Sequence, residues 1–164
     1  MHRRTHRIGG AAAALTVLVG SLTACGSDPF ERCVPEESTT AGAIQLPGTY
    51  EGALKAEDVR LILTTVSGGK GAGTLTAENW PTGSAHEATL GKTFSGSGTW
   101  EVETDNSPNR RRVVRLHFDK PELFLPGDTV DKLSIGIDAE RTFVYTNPDP
   151  EICPKFRLKL QPAT

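Results

Sequence analysis

Methionine is all but missing from this chain: the single one is Met1. That removes the thioether donors a methionine-rich copper site would use. Histidine is nearly as scarce, and the only two beyond residue 24 are His86 and His117. His86-Glu87 reads as a surface loop and His117 as an outward strand residue; no short-spaced ligand cluster surrounds either. No apolar run reaches the roughly 20 residues that a membrane-crossing helix needs. A Gly-x-Ser-x-Gly elbow is absent, and no serine has an evident histidine and aspartate context. Gly68-Gly69-Lys70-Gly71-Ala72-Gly73 lacks the Lys-Ser/Thr of a phosphate loop, and a strand follows it where a helix is required. The expectation is therefore a protein that is not an enzyme, with no catalytic residues, no metal ligands and no cofactor.

What is present begins with a basic head, Arg3, Arg4 and Arg7, without an acid. An apolar and small-residue stretch from Ile8 to Leu22 follows, and Gly26, Ser27, Asp28 and Pro29 end it without a basic stop-transfer cluster. Head, apolar core and small-residue exit are the three parts of an export signal. Arg3-Arg4 is an ordinary basic head, because Thr5-His6-Arg7 lacks the hydrophobic residues of a twin-arginine signal. The run Leu22-Thr23-Ala24-Cys25 resembles the lipobox of bacterial lipoproteins. That resemblance implies cleavage before Cys25 and a diacylglyceryl thioether, with palmitate-type chains, on its sulfur. The implied location is the extracytoplasmic face of the cell membrane, held by lipid.

Residues 1–24 hold three arginines and no acid, so the remaining chain has 15 basic against 20 acidic residues, a net charge near −5. Such a chain lacks the basic field that nucleic acid requires. Residues 25–46 form the lipidated N-terminus and a Ser-, Thr-, Pro- and Glu-rich stalk that reads as flexible. Residues 47–164 are long enough for one domain with its own core. Of the three cysteines the anchor uses Cys25, which leaves Cys33 and Cys153 in an oxidising compartment. They are expected to pair, since two sulfurs 120 residues apart lack zinc-site spacing.

Past residue 46 the sequence runs in short period-two segments separated by Gly, Pro, Asn and Asp. Eight are discernible, opening near Gly48, Val59, Thr74, Phe94, Arg112, Leu133, Phe143 and Phe156. In the clearest, Val114, Leu116 and Phe118 alternate with Arg115, His117 and Asp119. One wet and one buried face is the mark of antiparallel sheet. Mostly local turns favour an all-β, eight-stranded antiparallel meander barrel, with a closed β-sandwich as the alternative. Residues 80–91 and 120–130 are the longer loops.

Gly48-Thr49-Tyr50-Glu51 is echoed by Gly98-Thr99-Trp100-Glu101. The echo is similar to the Gly-x-Trp of lipocalin barrels and the Gly-Thr-Trp of avidin-like ones, which implies an aromatic closing the barrel bottom. The whole chain looks like small actinobacterial-type lipoproteins, on its lipobox, its Leu46-Pro47-Gly48-Thr49-Tyr50-Glu51-Gly52 opening and Asn147-Pro148-Asp149-Pro150-Glu151. That resemblance implies a compartment and a fold but no chemistry. Tyr50, Trp100 and Tyr145 are the candidates to line a ligand cavity, although an eight-stranded barrel is barely wide enough for its own side chains. Arg110-Arg111-Arg112 is a solvated strand end, or a seat for an anionic group. Paired acids such as Asp128 and Asp131 serve glycoside chemistry only where they converge in a cleft. Together these readings give a membrane-anchored, non-enzymatic binding module whose small ligand or envelope partner sits at the barrel mouth. An envelope structural or protein-interaction role is the alternative, and an envelope hydrolase comes third.

Overall fold

A computed structural model of the chain describes residues 46–66, 71–106, 108, 110–122, 124–137, 142–146 and 153–162. The signal sequence, the lipobox, the stalk to residue 45 and Cys33 lie outside the described residues. So do most of the glycine turn at 67–70 and the Asn147–Glu151 turn.

Eight antiparallel strands close into a barrel in strict sequence order: β1 (Gly48–Leu54), β2 (Arg60–Thr65), β3 (Ala72–Pro81), β4 (Thr93–Thr104), β5 (Arg112–Lys120), β6 (Lys132–Ile137), β7 (Thr142–Tyr145) and β8 (Phe156–Leu160). β8 returns to pair with β1, through Tyr50–Leu160 to Leu54–Phe156, so no sheet edge is left open. One four-residue helix, α1 (Glu87–Leu90), interrupts the β3–β4 connection. The meander barrel expected from the alternation is thus the observed fold, and the sandwich is not.

An even number of up-and-down strands puts both termini at one end, here the terminal end. The other, the loop end, carries the connections at 55–59, 82–92, 121–131 and 146–155.

Local sequence decides which way each side chain points. In β3 the buried Gly73, Leu75 and Ala77 alternate with the exposed Ala72, Thr74, Thr76 and Glu78. Continued strictly, that alternation would aim Trp80 outward. A bulge between Ala77 and Trp80, with Asn79 at φ 53°, adds one residue and turns Trp80 into the core. Asparagine tolerates this left-handed conformation, and its Nδ2 donates to the Asp58 carbonyl at 3.0 Å.

Inward residues from all eight strands fill the interior: Tyr50, Leu61, Leu63, Leu75, Trp80, Trp100, Leu116, Leu133, Ile135, Val144 and Leu158 are all buried. Each large apolar side chain contributes roughly 1.5–3 kcal/mol on leaving water. Leu46, the last residue assigned to the stalk, is also fully buried and accepts a 2.7 Å hydrogen bond from the Tyr50 hydroxyl. The folded unit therefore begins at or before Leu46.

Candidate functional site

The loop end holds the densest set of specific contacts among the described residues. Trp80 Nε1 donates to the Val130 carbonyl at 3.0 Å, and Thr129 Oγ1 donates to the Pro81 carbonyl at 2.6 Å. These bonds tie the end of β3 to the 121–131 loop. His86 Nε2 then meets Asp128 Oδ2 at 3.1 Å, which also receives the Leu125 amide at 2.9 Å. An ionised carboxylate only accepts, so Nε2 carries the proton of that bond. Beneath the clamp Phe94, Phe118 and Phe124 pack ring against ring, with Phe94 and Phe124 centroids 4.6 Å apart. Trp80 continues the cluster to Phe118 and Phe156. The barrel mouth is stoppered by these aromatics.

Leu125 stands outside this plug and is 72% exposed. Beside it is a cleft of about 90 Å³ lined by Leu116, Phe118, Phe124, Leu125, Thr129 and Asp131, which suits a few waters. A wider depression of about 460 Å³ lies against Lys55, Glu57, Asp58, Asn79 and Thr93. Its charged, open lining differs from the mostly apolar clefts that enclose small ligands.

Asp131 is nearly buried; it accepts the Gly127 amide at 2.9 Å and faces Arg115 Nη1 at 3.5 Å. Arg115 Nε reaches Glu103 at 3.3 Å. Asp128 and Asp131 thus engage different partners, His86 in one case and Arg115 in the other, and each orders the loop. Among the described residues no three His, Cys, Asp or Glu side chains gather as a metal site.

The protonation of Asp128 is clearly perturbed. The Leu125 amide, then the His86 hydrogen bond and charge, hold its pKa below the usual aspartate value. A depressed folded-state pKa contributes stability above the unfolded value, and that contribution disappears as pH falls through the folded value. Acidification below the ordinary aspartate range should loosen the 121–131 loop before the barrel unfolds. Amide exchange at Leu125 followed against pH should accelerate there, and Asp128→Asn should abolish that dependence; an acid-insensitive wild-type loop would contradict it.

The expected cavity residues do not form one site. Tyr50 and Trp100 are fully buried inside the barrel, near its terminal end, and both polar atoms are used internally. Trp100 Nε1 donates to the Thr64 carbonyl at 3.0 Å, and its indole lies over Gly73, where any Cβ would collide with Nε1 and with Thr64 O. Burial raises the Tyr50 phenol pKa well above its ordinary value, so the group stays neutral. Tyr145 points the opposite way: Val144 packs in the interior cluster, so its neighbour faces outward. It is nonetheless fully buried.

The remaining candidates are scattered. His117 faces solvent on β5, 3.1 Å from Glu101. Arg110 has φ 48° in the β4–β5 connection, where the Asp105 amide bonds the Arg111 carbonyl, and Arg112 opens β5. Cys153 is exposed in the β7–β8 connection. Cys33 and Cys25 both lie outside the described residues. The His86–Asp128 clamp is the feature sequence reading missed. Its partners are 42 positions apart and sit in loops without periodicity.

The molecule is thus defined as a small closed antiparallel β-barrel with a filled interior and a braced loop end. No family model, no curated protein and no solved structure matches the chain.

Proposed function

We propose that this protein is a lipid-anchored, extracytoplasmic binding module, without enzymatic activity, that meets a partner on its outer surface. The observation that carries the surface reading is the filled interior. Trp80, Trp100, Tyr50 and the leucine rows occupy the space in which a lipocalin-type barrel would hold a small molecule. An envelope protein is therefore the partner class these features favour, and the braced loop end with its projecting Leu125 is the face that suits it. The exposed Leu125, held by the Leu125 amide–Asp128 hydrogen bond, gives this face a projecting apolar contact point. The location rests on the basic head and the Leu22-Thr23-Ala24-Cys25 signal. The pairing Cys33–Cys153 belongs to the same reading, and closing so long a loop is worth up to roughly 5 kcal/mol in the chain-entropy account.

Two measurements test this. Native mass spectrometry of the mature protein should find the polypeptide and its lipid with no retained small molecule; a stoichiometric ligand would contradict the surface reading. A photo-crosslinker placed at Leu125 on intact cells should capture one specific protein neighbour. The same probe at Val66, exposed at the terminal end, should not. Equal or absent capture at the two positions would count against the loop end.

A further inference from the structure

We propose that residues 124–127, the tip of the 121–131 loop, are a flap latched by Phe124, whose ring fills a pocket that takes an aromatic side chain of a partner protein. The pocket already holds a ring, and that ring belongs to the loop, not to a strand. Phe124 stands edge-to-face with His86 at 5.1 Å between centroids, 4.6 Å from Phe94 and 6.3 Å from Phe118. Phe94 and Phe118 are on the neighbouring strands β4 and β5 and pack edge to face, 5.1 Å apart. With His86 they make a three-sided aromatic seat, and ring faces and edges of this kind favour another flat ring. The cleft of about 90 Å³ is bordered by Phe124, Phe118 and Leu125. Withdrawal of Phe124 therefore joins the volume of its ring to space that is already open.

The two halves of the loop are held differently. Residues 128–131 are fixed to the barrel. His86 bonds Asp128, Thr129 donates to the Pro81 carbonyl, and the Val130 carbonyl receives the Trp80 indole. The Asp131 carbonyl receives the Leu116 amide at 2.8 Å, and its carboxylate faces Arg115. Gly83 lies so close to Asp128 that a Cβ there would collide with the Asp128 carbonyl oxygen. The hydrogen bonds of residues 124–127 instead stay inside the loop. The Leu125 amide donates to the Asp128 carboxylate, the Leu125 carbonyl receives the Asp128 amide, and the Gly127 amide donates to Asp131. The Phe124 ring is thus what fastens the tip to the strands. Gly127 supplies the hinge, at φ 91° with open space where a Cβ would lie. Phe124 and Leu125 are consecutive, one seated among rings and the other 72% exposed. A partner that grips Leu125 draws Phe124 out, and an aromatic side chain of that partner takes the vacated seat.

The latch rests on the reading that a protein meets the loop end, and the two can fail separately. Titration of the mature protein with N-acetyl-phenylalanine amide, followed by NMR of the Phe94 and Phe118 rings and by amide exchange, tests it. The wild type should bind this probe saturably. In the complex, exchange at Leu125 and Gly127 should be at least about 10-fold faster, with Leu116 unchanged. Phe124→Ala removes the competing ring and should bind the probe at least about 10-fold more tightly than the wild type. N-acetyl-leucine amide should bind either protein at least about fivefold more weakly than the phenyl probe. Equal affinity of the two proteins, equal affinity for the two probes, or binding by Phe124→Ala alone overturns the proposal. Should that variant fail to fold, the wild-type titration decides: no binding, or binding without faster exchange at Leu125, overturns it. Specific capture at Leu125 without ring binding overturns the latch only, and ring binding without capture overturns the protein partner only.

Discussion

Trp100→Ala should lower the unfolding free energy by about 3–5 kcal/mol, the range for deleting a large buried aromatic. Domains of this size are stable by about 5–15 kcal/mol, so this one change removes about a fifth of the total or more. Three features make the site intolerant. The indole is wholly shielded from solvent. It fills the volume that Gly73 leaves by having no side chain, so no neighbour can swing in to occupy the hole. Its Nε1 also satisfies the Thr64 carbonyl, which would be left without that donor. Trp100→Phe separates the contributions, because it keeps most of the apolar volume and deletes only the donor; about 1–2 kcal/mol is expected. Urea titration followed by the fluorescence of Trp80, the other tryptophan, reads both. A loss below about 1.5 kcal/mol for the alanine variant would mean that the interior gives way easily. The case for a filled barrel, and with it the case for surface binding, would then weaken.

That dependence on one indole also marks what the sequence makes legible. Strand existence and order follow from period-two alternation, and each of the eight expected segments is a strand of the barrel. Alternation assigns a face to each side chain but does not say what lies beyond that face. Val113 and Tyr145 have the parity of solvent-facing residues and yet are buried. Trp80 opens what the sequence reads as a loop, and the bulge at Asn79 that shifts parity and turns it into the core is announced by no hydrophobic pattern. Tyr50 and Trp100 are aromatics near the terminal end, as the repeated Gly-Thr-aromatic motif implied, but a sequence cannot tell an aromatic that lines a cavity from one that fills it. His86 and Asp128 join two irregular loops and leave no trace in any local window.

Cys25→Ser should move the protein out of the membrane fraction almost completely, with loss of palmitate labelling. Each acyl methylene buried in the bilayer is worth about 0.8 kcal/mol, so two chains hold durably where a single chain holds only marginally. Among the described residues no helix is long and apolar enough to cross a membrane, and the chain beyond residue 24 is near −5, which an anionic leaflet repels. Nearly all attachment should therefore reside in one sulfur. With Cys33 paired to Cys153 as proposed, eight peptide units would separate the anchor from the loop end, a reach of at most about 28 Å. The loop end, with Leu125 and the His86–Asp128 clamp, would then face the bilayer and any partner lying close to it. Fractionation with palmitate labelling in the native host decides the anchor. A Cys25→Ser variant that still fractionates and labels like the wild type would defeat the anchored reading and leave the barrel's structure untouched.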